Sequence, residues 1–349
     1  MLRIGMIGCG KIAQVRHIPE YADNEEAVLA GFYDLNDERA KALAAQYGGT
    51  VYRTYQEMLE DDGIDAVSVC TANDSHAQIT IAALKAGKHV LCEKPMALSL
   101  EECEAMVRAA EEADRYLMIG HNQRLAKAHA RARQLVVEGR IGRIVSFKSN
   151  FSHGGPETWS IDPGRAVWFF DKKRAVLGAM ADLGIHKTDL VQFLTGSRVK
   201  EVTAYLGTLD KRYEDGSPID VDDNAFCIYR MENGCVGTVS VSWTCYGQED
   251  NSTILYGTEG VMKIYSDPCH SIVLELKDGT TEYYDIDKIQ TNDNQTKSGV
   301  IDLFIDCLKN NTPPEISGRE ALNAMRAVFA AVESSAVGKK VIVEQEVTG

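Results

Sequence analysis

The 349-residue sequence lacks several features that would assign it to a common class of protein. It has no apolar run long enough to cross a bilayer, and because a strand pattern starts at Leu2 we expect no signal peptide. Positive charge is scarce: 37 lysines and arginines stand against 51 acidic residues, which leaves a net charge of -14. This balance argues against nucleic acid or an anionic membrane as a partner.

Closely paired cysteines are also missing. The nine cysteines are scattered with no C-x-x-C spacing, and several lie in apolar runs where a thiol behaves as a small hydrophobic side chain. We see no internal repeat and no low-complexity tract. These features favour a reducing compartment, and we expect a cytoplasmic protein of roughly two domains.

Strand and helix patterns alternate through the first third of the chain. This alternation is typical of a doubly wound parallel sheet. The strands are predicted near 2–7, 28–33, 65–70, 88–92 and 116–119, and the helices near 11–22, 36–47, 74–86 and 99–113. We therefore predict an α/β Rossmann domain over residues 1–122.

The pattern changes after a further helix near 125–138. Strand patterns follow near 143–151, 199–207, 221–230, 234–243, 252–256, 261–265, 271–277 and 280–285, with hairpin signals such as Glu232-Asn233-Gly234 between neighbouring strands. Helices are predicted near 181–195, 297–310 and 318–337. We predict that residues 123–349 form an α+β domain with a large, mainly antiparallel open sheet. It would serve substrate binding and oligomerisation, as a homodimer or homotetramer, and its final helix is a candidate to pack back on the first domain.

A glycine-rich turn follows the first strand. Gly8-Cys9-Gly10-Lys11-Ile12-Ala13 fits G-x-G-x-x-G/A and leads into a helical pattern of Ile12, Val15 and Ile18. Glycines permit a tight turn and a close approach of the backbone to a pyrophosphate, which then lies at the positive end of the helix. Gly8, Gly10, Lys11 and Ile12 are therefore candidate contacts of a dinucleotide cofactor.

Asp34 ends the second predicted strand, where an acidic residue that bonds the ribose diol of NAD is expected. The alternative is that Asp34 caps the helix beginning near Asn36. No arginine adjoins Asp34, and we expect Arg39 on the exposed face of that helix. The sequence thus favours NAD over NADP.

Lys94 stands directly after an apolar strand in Leu91-Cys92-Glu93-Lys94-Pro95-Met96. Pro95 removes a backbone donor and breaks the ladder just beyond the strand, so the chain must turn at Lys94. Ligands of open α/β sheets bind outside the carboxyl ends of the strands, so this lysine would face the cofactor. The alternative is a solvated lysine at a strand end.

A third pattern is Asp182-Leu183-Gly184-Ile185-His186, followed by Asp189. On a helix Asp182 and His186 share one face. A histidine is the natural general base for an alcohol proton, and a neighbouring carboxylate can orient it or hold a substrate hydroxyl. The same spacing can also brace a helix. We predict no metal at this pattern.

Taken together, these segments resemble the glucose-fructose oxidoreductase / inositol dehydrogenase (Gfo/Idh/MocA) family. The segments that carry the resemblance are Gly8-Cys9-Gly10, Cys70-Thr71-Ala72-Asn73-Asp74-Ser75-His76, Gly87-Lys88-His89-Val90-Leu91-Cys92-Glu93-Lys94-Pro95, Asn122-Gln123-Arg124 and Asp182-Leu183-Gly184-Ile185-His186. They cover most of the chain in order. Glu-Lys-Pro and D-x-G-x-H are far more specific than the glycine turn.

The resemblance implies site residues. In this family the equivalents of Lys94, Asp182 and His186 form the catalytic site. The resemblance also implies cofactor contacts, which we assign to Thr71, Asn73, His76, Glu93 and Lys94. The chain departs from the family at two positions: Ala72 replaces a usual proline, and Leu125 stands where many members have an aromatic residue.

Substrate contacts are predicted from Lys94, Asp182 and His186 and from several further polar and aromatic residues. The candidates are Asn122 and Arg124, together with His153, Trp159, Asp162, Trp168 and Lys173 of the insertion from Ser152 to Arg174. For each residue of the insertion the alternative is a surface loop packed by its own tryptophans. Tryptophan faces pack against the C–H faces of sugar rings, so we expect a neutral substrate rather than a sugar phosphate.

We therefore predict an NAD-dependent oxidoreductase that oxidises a secondary hydroxyl of a sugar, glycoside or cyclitol of the inositol type. His186 would take the hydroxyl proton and Lys94 would stabilise the developing alkoxide. Three alternatives stay open. They are a glycosidase of the same family that retains NAD and oxidises a ring carbon transiently, a nonenzymatic NAD-binding regulator, and a reductase of an unrelated carbonyl substrate such as an imine or bilin.

Overall fold

The computed structural model describes residues 1–289 and 297–344, which divide into two compact units. As far as these ranges are described, unit 1 takes in Met1–Asn122 and Asp293–Leu322, and unit 2 takes in Gln123–Asn292 and Asn323–Gly349. From the sequence, all of 123–349 was predicted to belong to the second domain. The later segment joins unit 1 because Ser298 donates its N–H and its hydroxyl to the Glu20 carboxylate, at 2.8 and 2.9 Å.

Unit 1 contains a parallel sheet of six strands in the order β3-β2-β1-β4-β5-β6. The strands are β1 (Leu2–Ile7), β2 (Ala27–Tyr33), β3 (Thr50–Val51), β4 (Ala66–Val69), β5 (His89–Cys92) and β6 (Leu117–Ile119). Every residue of β4 is buried, as expected for a central strand covered on both faces. The order reverses direction between β1 and β4, which is the Rossmann topology predicted from the sequence.

Five helices of unit 1 connect these strands. They are α1 (Ile18–Ala22), α2 (Asp37–Tyr47), α3 (Tyr55–Glu60), α4 (His76–Lys85) and α5 (Leu100–Ala113). A π-helical turn, Ala13–His17, precedes α1. Asn36 caps the start of helix α2: its side chain accepts the N–H of Glu38 at 3.1 Å and so satisfies one of the first free donors of the helix.

Unit 2 is built on a nine-stranded sheet in the order β14-β13-β12-β11-β7-β10-β9-β8-β15. The strands are β7 (Ile144–Ser152), β8 (Val199–Gly207), β9 (Asn224–Met231), β10 (Val236–Ser242), β11 (Thr253–Gly257), β12 (Gly260–Ile264), β13 (Ile272–Leu276), β14 (Thr281–Tyr284) and β15 (Val341–Ile342). Its strand pairs are antiparallel except for β7 with β10. The predicted α+β fold with a mainly antiparallel sheet is thus confirmed.

Helices cover one face of this sheet, because α6 and α8 pack on each other and α8 packs on β7. The later helices of the chain are α6 (Lys127–Val137), α7 (Lys172–Ala175), α8 (Ile185–Thr195), α9 (Val300–Asn310) of unit 1 and α10 (Gly318–Val337). Along β9, burial alternates with a period of two. Its outward residues Phe226 and Ile228 are exposed beside Tyr205 of β8, which leaves an apolar strip on the uncovered face.

Candidate active site

The carboxyl ends of the parallel strands in unit 1 carry the residues that the sequence analysis assigned to the cofactor. Gly8 follows β1, Asp34 follows β2, Thr71 to His76 follow β4, Lys94 follows β5 and Asn122 follows β6. The carboxyl ends of parallel strands meet at one edge of a sheet, and ligands bind outside that edge where the strand order reverses. The fold therefore brings these five positions to the expected edge.

The glycine turn is shaped for a close ligand. Gly8 has a φ of +92°, and a side-chain carbon there would lie 2.6 Å from the backbone of Cys70, so no other residue fits. A side-chain carbon at Gly10 would meet its nearest neighbour, the Cys70 carbonyl oxygen, at 4.0 Å. Lys11 is exposed and Ile12 is half-buried at the start of the π-helical turn. These features fit a backbone cradle for a dinucleotide pyrophosphate.

Asp34 ties the glycine turn to the end of β2. Its carboxylate accepts the N–H of Cys9 at 2.6 Å and the N–H of Asn36 at 2.7 Å. Since Asn36 caps α2, Asp34 is not the cap of that helix. Arg39 is half-buried rather than exposed, and its charge acts on the Cys9 thiol: burial and Asp34 raise the pKa of Cys9 to about 12, while Arg39 lowers it.

His76 braces two of the loops at this edge. Its ring nitrogens lie 2.8 Å from the Pro95 carbonyl oxygen and 3.2 Å from that of Thr71, so both nitrogens must donate. Burial opposes a charged ring, but the Cys92 sulfur and the two carbonyls raise the pKa of His76 to about 9. We expected His76 to contact the cofactor. In the structure its two ring nitrogens face backbone carbonyls of these loops. Asn73 lies buried in the short turn Asn73–Ser75.

Lys94 lies half-buried at the end of β5. The buried Glu93 carboxylate accepts the backbone N–H of Lys94 at 3.1 Å and lies 2.9 Å from Nε2 of His17. Both oxygens of the Glu93 carboxylate therefore have hydrogen-bond partners within the protein. His17 was not predicted from the sequence, although its spacing of four from Tyr21 places both side chains on one helical face.

Asp182 and His186 of unit 2 are both buried, on consecutive turns of a continuous helical segment. The π-helical turn Met180–Gly184 holds Asp182, and α8 follows directly with His186. Asp222 fixes the start of this segment, because its carboxylate accepts the N–H groups of Gly178 and Met180 at 2.8 and 2.7 Å. The acid and the histidine are therefore carried on one anchored element.

Two side chains of unit 2 surround the Asp182 carboxylate. The indole N–H of Trp243 donates to Asp182 at 3.1 Å, and Nε2 of His153 lies 4.0 Å from the same oxygen. Nδ1 of His153 accepts the N–H of Gly155 at 3.0 Å, so a neutral His153 carries its proton on Nε2 and directs it towards Asp182. The ring of Phe151 lies 5.8 Å from that of His153 and 6.0 Å from that of His186.

Trp243 was not predicted from the sequence as a partner of Asp182. Its signal was available, because Val239, Val241 and Trp243 alternate along β10 and its end, and all three are buried on the helix-covered face.

Other predicted substrate contacts have different neighbours. Arg124 donates through Nε and Nη2 to Asp189, at 2.7 and 2.6 Å, so its guanidinium is fixed to α8. Trp168 stacks on Phe169 with ring centroids 3.9 Å apart, and the guanidinium of Arg174 lies 5.9 Å from the Trp168 ring. Asp162 and Lys173 are exposed on the insertion, while Trp159 is half-buried and lies edge-on to His153.

Over the described ranges, 1–289 and 297–344, no cluster of three or more histidine, cysteine or acidic side chains could hold a metal ion. Over the same ranges, no helix is both long and apolar enough to span a membrane.

Two models of protein families match this chain, each over a separate region. The family model described as "Oxidoreductase family, NAD-binding Rossmann fold" matches residues 2–121, and that of the GFO/IDH/MocA C-terminal domain matches residues 129–263. Levoglucosan dehydrogenase of Pseudarthrobacter phenanthrenivorans is 32% identical over 288 residues, which are 74% of this chain and 72% of the relative. Myo-inositol 2-dehydrogenase of Thermotoga maritima is 27% identical over 99% of each chain.

A solved structure of a levoglucosan dehydrogenase in complex with NADH and levoglucosan superposes with a TM-score of 0.85. It is 27% identical and covers 99% of both chains. The cofactor and the enzyme class predicted from the motifs are thus confirmed. On both family models and on these relatives, the chain belongs to the Gfo/Idh/MocA family of NAD-binding oxidoreductases.

Proposed function

We propose that this protein is an NAD-dependent dehydrogenase that oxidises a secondary hydroxyl of a neutral sugar, glycoside or cyclitol. The observation that carries the proposal is the buried Asp182 carboxylate, held by the Trp243 N–H and faced by the His153 ring, on the same helical segment as His186. Relatives named as levoglucosan and myo-inositol dehydrogenases support the substrate class.

The proposed chemistry needs a base, a positive charge and groups that position the ring. NAD, when bound, accepts the hydride from the carbon that bears the reacting hydroxyl. His186 takes the hydroxyl proton, and the Lys94 ammonium stabilises the negative charge that develops on that oxygen. Asp182 accepts a hydrogen bond from a neighbouring hydroxyl, because each oxygen of a carboxylate can accept more than one hydrogen bond.

A neutral substrate is supported by the placement of the basic run in the insertion. Lys172, Lys173 and Arg174 are all exposed on α7, and Arg174 lies over the Trp168 ring. A phosphate site uses several donors that converge on one point. The polar groups around Asp182 are instead an indole and an imidazole, which suit hydroxyl groups of a ring.

A substrate screen that follows NADH absorbance tests this proposal. The compounds are inositols, free hexoses, an anhydrosugar such as levoglucosan, and aryl glucosides. We expect net NADH formation with at least one neutral compound. NADH-neutral turnover of a glycoside would favour the NAD-retaining glycosidase, and NAD binding without turnover of any compound would favour the regulator.

Variants of the proposed base and its neighbour complete the test. His186→Ala should lower kcat and remove an ionisation from the acid limb of the pH-rate profile, because protonation of the base stops proton removal at low pH. Asp182→Asn should act more through substrate affinity. If the acid limb survives His186→Ala unchanged, another group is the base.

A further inference from the structure

His17 lies fully buried in unit 1, in the π-helical turn that follows the glycine turn. Its Nε2 is 2.9 Å from Oε1 of Glu93, and its Nδ1 is 3.3 Å from the hydroxyl oxygen of Ser68. The Tyr21 hydroxyl lies 2.8 Å from the same Ser68 oxygen. A chain of four polar side chains thus runs through the interior of unit 1 and ends at the residue before Lys94.

Glu93 is ionised in this network. Burial alone would raise the pKa of Glu93, but the hydrogen bond with His17 and the charges of His17, Arg16 and Lys94 lower it to about 2. A carboxylate only accepts hydrogen bonds, so Nε2 of His17 must carry the proton that lies between the two residues. A buried charge left without such a donor is strongly destabilising, which explains why a histidine is held here.

The Glu93 carboxylate has little freedom to move. Its Oε2 accepts the backbone N–H of Lys94 at 3.1 Å, and a side-chain carbon built on Gly120 would meet the carboxylate at 3.1 to 3.3 Å. The backbone N–H of Glu93 also pairs with the Val69 carbonyl at 2.9 Å. His17 on one side and Gly120 on the other therefore set where the carboxylate lies, and the carboxylate sets the backbone of Lys94.

We propose that His17 is a positioning residue, which holds the Glu93 carboxylate and through it fixes the place of Lys94. The inference rests on the proposed function, in which the Lys94 ammonium stabilises the developing oxyanion. Because His17 is the last residue of the π-helical turn that follows the glycine turn, the same contact joins that turn to the end of β5. Displacement of a catalytic group by about 1 Å can lower turnover by about a hundredfold, so a contact of this kind matters for rate.

The test compares His17→Leu with His17→Gln. Leucine removes the donor to Glu93, whereas glutamine keeps an amide N–H that can reach the carboxylate. We expect His17→Leu to lower kcat about tenfold or more with little change in NAD affinity, and His17→Gln to recover most of it. His89→Asn is the matched control, because His89 begins β5 and accepts the Tyr116 N–H at 3.0 Å, a bond that asparagine can keep.

A double-mutant cycle with Lys94→Ala separates positioning from general damage to the fold. If His17 acts through Lys94, His17→Leu should cause no further loss of kcat in the Lys94→Ala protein. Wild-type kcat in His17→Leu, or the same loss with and without Lys94, would overturn the inference. Wild-type turnover in Lys94→Ala alone would instead refute the proposed function, so the two failures are distinguishable.

Hydrogen exchange, measured on the protein without cofactor, tests the same contact independently of turnover. Exchange of the Lys94 backbone amide should become about tenfold faster in His17→Leu and stay unchanged in His89→Asn. Unchanged exchange at Lys94 in His17→Leu would count against the proposal. Should His17→Leu fail to fold, Glu93→Gln tests the same contact. We expect Glu93→Gln to lower kcat about tenfold or more in the otherwise wild-type protein and to cause no further loss in the Lys94→Ala protein. A normal kcat in Glu93→Gln would overturn the inference.

Discussion

Lys187 follows His186 on α8, and its side chain is fully buried. Its Nζ donates to the Asn251 carbonyl at 3.0 Å and lies 5.8 Å from the centre of the Phe151 ring. Burial lowers the pKa of Lys187 to about 7, against the opposing effect of Asp250 and Glu249. The charged form of this lysine is therefore unfavourable in the folded protein.

The size of the effect follows from the lowered pKa. An unfolded chain holds the lysine proton up to the ordinary pKa of 10.5, and the difference corresponds to about 5 kcal/mol of lost stability, fully present below about pH 7. Between that pH and 10.5 the unfolded state binds more protons, so this penalty fades as the pH rises. Lys187→Met removes the penalty and forfeits about 1–3 kcal/mol from the bond to Asn251.

Thermal unfolding across pH measures the prediction. Lys187→Met should melt above the wild type at about pH 6, by the equivalent of about 3 kcal/mol, and its advantage should vanish towards about pH 10. Lys88→Met is the control, because Lys88 is also buried and donates to the Asp61 and Ile64 carbonyls, both at 2.8 Å. That variant should melt below the wild type throughout. If Lys187→Met also melts lower at about pH 6, the reasoning is wrong.

Three further predictions concern the cofactor, the assembly and the substrate. Since Asp34 would meet a 2′-phosphate with its carboxylate, NAD should bind at least about tenfold more tightly than NADP, and equal dissociation constants would refute this. The exposed strip of Tyr205 and Phe226 should be buried between subunits, so sedimentation should show a dimer or tetramer and not a micromolar monomer. Removing the charge of Lys172 or Lys173 should leave kcat/KM largely intact, and a strong preference for a phosphorylated sugar that either change abolishes would contradict a neutral substrate.

The sequence predicted the layered architecture well, because buried parallel strands are short apolar runs with clear ends. The first strand was predicted at 2–7 and is Leu2–Ile7, and the strand predicted near 88–92 is His89–Cys92. Strands β3 and β15 and helices α3 and α7 were missed. Elements of two to six residues are too short to show a clear periodicity.

A π-helical turn accounts for a further difference. The pattern Ile12, Val15, Ile18 suggested an ordinary helix, but the wide turn Ala13–His17 shifts the later side chains. Arg16 and His17 are buried in this turn and Val15 is only half-buried, while Ile18 is buried as the pattern predicts. A periodicity of 3.6 residues could not reveal this exchange.

The sequence indicated candidate residues for the site, but it did not indicate which side chains contact them. Arg124 was expected at the substrate and bonds Asp189, which lies 65 positions away. Asp182 was expected beside His186, but the donor that holds it is Trp243, 61 positions away. Such pairs depend on which strands and helices become neighbours, and residue types within a motif do not specify that.

The central claim is oxidation at a ring carbon by hydride transfer to NAD, and isotope transfer tests it most directly. The substrate found in the screen is prepared with deuterium on the carbon that bears the reacting hydroxyl, and the nucleotide product is analysed by NMR. We expect one deuterium at C4 of each NADH formed, one ketone for each NADH, and much slower formation of both products in Lys94→Ala. Substrate consumption with no net NADH, or with the deuterium lost to water, would contradict it.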